Sequence, residues 1–217
     1  YGIRLESIGG LGANLCGKML GELAVRYLNL NSAAFSSYGS EKTGTPVKGY
    51  IRYCLPDKEI RIHSPVVHPD LLAVFHQALM QDAGVWKGCG SQTKVLVALD
   101  EGQENLSGGL PDWIRECYVV NARQIAMESK SRINVVMLGA IAKVMGLMQL
   151  EDVRQICKDS LGRKYPDALE GNLKGLEGGY AQVRQLALHT ETVSEKEKRD
   201  RDSQEWGYAT APIGGIN

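Results

Sequence analysis

The densest run of residues able to act on a ligand is Gly9-Gly10-Leu11-Gly12. Three glycines in four positions let the backbone turn tightly and approach another group closely. Between a strand and a helix, such a turn aims backbone N–H groups and a helix N-terminus at one spot, which suits a phosphate or carboxylate. The dinucleotide fingerprint asks for more: Gly-x-Gly-x-x-Gly, and an acid roughly 20 residues further on to hold a ribose. Here Gly10-Leu11-Gly12-Ala13-Asn14 runs into Leu15, and the second strand ends in Ser36-Ser37-Tyr38-Gly39, with Glu41 in the loop beyond. Nicotinamide binding is therefore disfavoured. Glycines needed only for a tight turn and close helix-to-strand packing remain the competing reading.

The other reactive side chains form no recognisable constellation. Ser7 precedes the glycines, but no base is supplied near it in sequence, and His63, His68, His76 and His189 stand in no triad or metal motif. Cys16, Cys54, Cys89, Cys117 and Cys157 are scattered, with no Cys-x-x-Cys and no Cys/His spacing suited to a metal. No Gly-x-Ser-x-Gly, Walker loop or His-Glu-x-x-His occurs. A self-contained active site is not expected.

The elements that must hold the glycine turn can be read around it. Ile3, Leu5 and Ile8 make the strand before it, and Leu15, Met19, Leu23 and Tyr27 give the following helix one apolar face. Residues 33–38 read as a second strand, and 39–46 as a small-residue loop. Residues 47–54 read as a third strand, which a turn at Pro56-Asp57 should join in an antiparallel hairpin to a strand around Ile60-Arg61-Ile62-His63. Further strands are predicted at 69–75, at the continuous apolar run 94–100, and at 116–121. The later half is helical: 134–148 is apolar on nearly every side, with Gly139 and Ala140 offering another backbone a close approach. Leu150-Glu151-Asp152 opens a helix, and Pro166 opens the last one, whose Gly171, Gly175, Gly178 and Gly179 weaken it so that packing must hold it. The fold class is α/β, a Rossmann-like doubly wound sheet with an added β-hairpin and a helical C-terminal half.

The chain has 217 residues, with Lys+Arg and Asp+Glu both 25, so no global charge bias points to nucleic acid or an anionic membrane as partner. Scattered cysteines and the lack of a long apolar run suggest a soluble, cytoplasmic protein. Two regions are expected: 1–189 as the folded domain, and 190–217 as a charged linker or docking arm.

Taken in order, Gly9-Gly10-Leu11-Gly12, Ser36 to Glu41, the strand Val47 to Tyr53, Asn134 to Ala140, Asn172, and Leu176-Glu177-Gly178-Gly179-Tyr180 resemble the gamma subunit or domain of the 2-oxoacid:ferredoxin oxidoreductases, the group that includes pyruvate synthase. The resemblance spans roughly residues 2 to 188. It implies a Rossmann-like subunit with no catalytic residue of its own, packed on alpha and beta components and helping to close their site. Those components hold thiamine diphosphate and Mg2+, [4Fe-4S] clusters carry electrons away, and ferredoxin accepts them, in many members with coenzyme A as acyl acceptor. The C-terminal arm is similar to the junction with a ferredoxin-like delta domain, whose cysteine motif this sequence lacks. The residues so implied to touch ligand or a neighbouring subunit are Gly9, Gly10, Gly12, Ser40, Glu41, Lys42, Thr43, Gly44, Thr45 and Asn134.

One departure stands out. Where the family commonly carries Glu-Met-Arg-Gly-Gly, this chain has Glu41-Lys42-Thr43-Gly44-Thr45, so a planar five-donor arginine is replaced by a point charge one position early. A divergent substrate such as oxalate, which needs no coenzyme A, is one expectation drawn from that difference. The rival readings are a stand-alone nicotinamide-dependent dehydrogenase and a purely structural adaptor.

Overall fold

A computed structural model describes residues 1–38, 44–62, 64–100, 102–103, 106 and 110–188. The chain divides into two units, 1–186 and 187–217, and the description below is of the first. Its seven strands are β1 (Gly2–Ile8), β2 (Asn31–Tyr38), β3 (Pro46–Cys54), β4 (Leu71–Val74), β5 (Lys94–Ala98), β6 (Glu116–Val120) and β7 (Arg184–Gln185). They form one sheet in the order β2-β3-β1-β4-β5-β6-β7. β1, β4, β5 and β6 run parallel, while β3 is antiparallel to β1, β2 to β3, and β7 to β6. From β1 the chain goes to one side of the sheet and returns on the other as β4, which leaves a crevice at the end of β1 where α/β sheets hold ligands.

The helices are α1 (Ala13–Tyr27), a short α2 (Ala83–Trp86), α3 (Ala122–Glu128), α4 (Ile133–Met145), α5 (Leu150–Leu161) and α6 (Leu169–Gln182). Alternation along the strands sends Ile3, Leu5, Leu71, Ala73, Leu96 and Ala98 into one core with α1, α4 and α5. On the opposite face Arg4, Leu72, Val74, Val95 and Val97 are also buried, against the segment that carries Val66, Met80 and Val85. Both faces of β5 are thus covered, as its unbroken apolar run predicts.

Two expectations are corrected. The antiparallel hairpin is made by β2 and β3, paired over eight residues from Asn31↔Cys54 to Tyr38↔Val47; residues 60–62 form no strand, and His63 lies outside the described residues. Ile60 and Ile62 alternate, but flanking Lys58, Glu59 and Arg61 are exposed and give that segment no face to bury. The last helix begins at Leu169 rather than at Pro166 and ends at Gln182, after which Arg184–Gln185 form β7 beside β6. Pro166 opens a 3-10 turn, Pro166–Ala168, that feeds α6.

The glycines of α6 find their packing. A Cβ at Gly179 would lie 2.0 Å from the Val136 carbonyl oxygen, and one at Gly139 would lie 2.0 Å from that of Leu176. Helices α4 and α6 therefore meet backbone to backbone, and this contact compensates for the low helical propensity of the sequence.

Candidate functional site

β1 delivers Gly9 to the crevice. Its N–H donates to the Thr45 carbonyl at 2.8 Å, and the Gly44 N–H donates back to the Gly9 carbonyl at 3.3 Å. The glycine turn and the far end of the 39–45 loop are thereby tied together; Ser40, Glu41, Lys42 and Thr43 lie outside the described residues. Gly12 caps α1 at φ 80°, ψ 20° and, lacking a side chain, offers no side-chain cap to the helix start. Its conformation alone selects glycine, and space selects it again: a Cβ there would come within 2.8 Å of Asn134 Cγ.

Asn134 sits in the first turn of α4, far along the chain from Gly12 yet packed on the glycine turn. It is 2% exposed, and Asn172 of α6 is 5% exposed. Both line one cleft, and neither amide has a hydrogen-bond partner among the described residues.

The cleft encloses about 450 Å³ between the glycine turn, the start of α4 and the start of α6. Its rim carries Arg123, Lys130 and Arg132, all exposed and without a carboxylate partner among the described residues, and no acid belongs to its lining. Lys130 stands at φ 55° where α3 ends, with the Ser131 N–H returning to the Ala126 carbonyl at 2.9 Å. The turn 129–132 fits there because α6 presents glycine: a Cβ at Gly171 would lie 2.6 Å from the Ser129 carbonyl oxygen, and one at Gly175 would lie 2.0 Å from Ser131 Oγ. Two helix starts, three exposed cations and two amides meet at a recess whose walls are otherwise largely apolar, with Leu11, Leu15, Ile133, Val135 and Leu161 among them. A cationic rim beside helix starts is chemistry that attracts an anion.

The remaining candidates are structural. Ser7 is 1% exposed and its hydroxyl donates to the Ile8 carbonyl at 3.3 Å. His68 Nδ1 lies 2.9 Å from the Gly88 carbonyl oxygen, and His76 Nδ1 accepts from the Ala78 N–H at 3.2 Å. Burial pushes the thiols of Cys117 and Cys157 up to about 12 and about 11, and raises Cys16 as well, so these are inert core residues. Among the described residues no three His, Cys, Asp or Glu side chains could hold a metal ion, and no helix is long and apolar enough to cross a membrane.

Of the residues singled out in the sequence, the structure brings Gly10, Gly12 and Asn134 into the cleft lining and ties Gly9, Gly44 and Thr45 beside it. The cationic rim was missed. Its signal was Lys130-Ser131-Arg132 directly before a helix start, where the helix dipole disfavours positive charge unless an anion accompanies it.

The family model for pyruvate ferredoxin/flavodoxin oxidoreductase matches residues 2–182. The chain belongs to this family. The curated relatives it matches are gamma-type subunits. Pyruvate synthase subunit PorC of Thermotoga maritima is 30% identical over 190 residues, covering 85% of this chain and 95% of the relative. The NADH-dependent phenylglyoxylate dehydrogenase gamma subunit of Aromatoleum evansii is 30% identical, over 84% of this chain and 94% of the relative. In three dimensions the Thermotoga maritima PorC structure superposes with a TM-score of 0.70 at 24% identity, over 86% of this chain and 98% of that one. The 2-oxoglutarate:ferredoxin oxidoreductase of Magnetococcus marinus, solved with 2-oxoglutarate, coenzyme A and succinyl-CoA, gives 0.67 at 21% identity over 83% of this chain and 30% of that one. The chain is thus a gamma-type subunit of an oxidoreductase complex, and its α/β fold is that of PorC.

Proposed function

We propose that this chain is the gamma component of a thiamine diphosphate-dependent 2-oxoacid:ferredoxin oxidoreductase of the pyruvate type. It packs on the alpha and beta components and closes their site by holding the phosphates of coenzyme A in the cleft between the glycine turn and the start of α4. One observation carries this reading: Asn134 and Asn172 line a recess rimmed by Arg123, Lys130 and Arg132, and, among the described residues, no carboxylate belongs to that lining. A phosphate-bearing ligand of coenzyme A's size suits about 450 Å³ and three cations better than an oxalate dianion does. The rim also answers the missing arginine of the 41–45 loop, because the planar donors come from Arg123 and Arg132 instead. Iron–sulfur clusters in the complex pass the electrons to ferredoxin, this chain contributes binding and exclusion of water, and 190–217 serves as a charged docking arm in the cytoplasm.

The test uses the assembled complex. Arg132→Gln and Lys130→Gln remove charge-assisted hydrogen bonds of about 1.5–3 kcal/mol each, which corresponds to a rise of roughly 10- to 100-fold in the KM for coenzyme A. The KM for pyruvate and subunit stoichiometry should not change. An unaltered KM for coenzyme A in both variants, or turnover of oxalate without coenzyme A, overturns the reading. Turnover by the isolated chain with NAD or NADP would restore the dehydrogenase alternative. Gly12→Val is the discriminator from a pure adaptor, since assembly should survive while turnover falls.

A further inference from the structure

Of the large apolar side chains that the surface exposes among the described residues, two line the cleft: Met127 of α3 and Tyr165 between α5 and α6. Tyr165 is 42% exposed and is the one aromatic residue of that lining. The backbone fixes where it stands. Its N–H donates to the Leu161 carbonyl at the end of α5 at 2.7 Å, and its carbonyl accepts from the Ala168 N–H at 3.2 Å. Pro166 follows and keeps the preceding residue out of the helical region, in keeping with its φ of −140°. The ring is thus mounted between two helix ends. Lys164 sets its ammonium 5.5 Å from the ring centroid, but it lines the neighbouring groove along α1 and β2 rather than the cleft, so it does not cover the ring on the cleft side. Met127 lies one turn beyond Arg123 on α3, so a thioether and a guanidinium share one helix face at the cleft wall.

Three cations alone would suit any anion. A bare phosphate or carboxylate, however, has no flat apolar surface to set against an exposed ring, and a flat apolar molecule has no charge for Arg123, Lys130 and Arg132. A purine nucleotide has both. We infer that the adenine base of coenzyme A stacks on Tyr165 and against Met127 while its phosphates meet the rim, an inference that rests on the function proposed above for this cleft. Tyr165 is then the residue that tells a nucleotide from a bare phosphate. A ring already held by its backbone loses little freedom when the base arrives, so most of the stacking free energy is kept. The unbranched, polarisable Met127 side chain adapts to the edge or face that the base presents. Leu161 and Ala168, on either side of Tyr165 in the lining, continue the apolar wall on which the base rests.

The test uses the assembled complex and two competitors of coenzyme A. Adenosine 3′,5′-bisphosphate carries base and phosphates, whereas inorganic pyrophosphate carries charge alone. Tyr165→Ala should raise the inhibition constant of adenosine 3′,5′-bisphosphate roughly tenfold, the loss of one base–aromatic stack, and leave that of pyrophosphate where it was. Tyr165→Trp should hold both constants at the parent level, because an indole also offers a stacking face. Arg132→Gln should raise both. If Arg132→Gln raises both constants and Tyr165→Ala alters neither, the stack is overturned while the phosphate reading stands. If neither variant alters either constant, or neither competitor inhibits the parent complex, both readings fall. A Tyr165→Trp complex as impaired as Tyr165→Ala, or a Tyr165→Ala complex that binds both competitors equally badly, marks the tyrosine as part of the fold and overturns the proposal.

Discussion

Asn134 and Gly12 form the pair on which the cleft turns. The glycine is required by its φ of 80° and by the amide pressed against the space its side chain would fill. Replacing Asn134 by Leu removes an amide that lines the cleft, so unfolding in urea should change by less than about 1 kcal/mol. Turnover of the assembled complex should fall at least tenfold if the amide meets ligand. A variant that loses both stability and activity would instead mark the amide as structural. On the other face of the sheet, Glu6 is 2% exposed between the Arg4 guanidinium at 3.2 Å and the Lys48 ammonium at 3.1 Å. Burial raises its carboxyl above the ordinary value, with Lys48 and Arg4 pulling it back down. The folded chain then holds this proton more tightly than the unfolded one. Its contribution is fully present below the unfolded value of about 4.3 and is lost as pH rises through the folded value. Lys48→Met removes the main opposing charge, so stability measured by urea between about pH 4 and 7 should decline more steeply with pH than in the parent. A shallower slope would contradict this.

At the scale of elements, the contact between α4 and α6 is where glycine composition becomes architecture. Gly179→Ala gains about 1 kcal/mol in helix propensity but drives a methyl into the Val136 carbonyl, an overpacking cost of about 3 kcal/mol, so a net loss of about 2 kcal/mol is expected in urea unfolding. Gly90→Ala, with open space around it and an ordinary backbone, should change stability by less than about 0.5 kcal/mol. What the sequence disclosed at this scale followed from periodicity. β1, α1, the doubly covered β5 and the wholly buried α4 each carry a pattern strong enough to name their type. The hairpin was misplaced because its true partner, β2, is a run of serine and alanine with almost no apolar alternation. β7 was invisible because two polar residues bear no pattern at all. The site was half legible: glycines announce a turn, and the order of motifs pointed to Asn134. Arg123, Lys130 and Arg132 converge only because α6 makes room for the 129–132 turn, a tertiary event with no local signature.

For the whole molecule, the fold supplies a cleft with a cationic rim and, among the described residues, no carboxylate in its lining, as a binding component of a larger complex would. The matches agree, since the chain covers 95% of a PorC subunit but 30% of the longer Magnetococcus marinus chain. Purification of the native complex should therefore recover this chain with larger subunits that carry thiamine and iron, and cofactor analysis checks it. Recovery of the chain with activity but without those companions would contradict it.

The backbone-to-backbone seam between α4 and α6 has one further consequence. Because main chain abuts main chain there, neither helix can slide without breaking hydrogen-bonded turns, and the two asparagines it carries are bolted to a stiff mount. Any adjustment on docking must fall to the exposed 129–132 bend, whose positively charged tips can swing while the floor beneath them stays still.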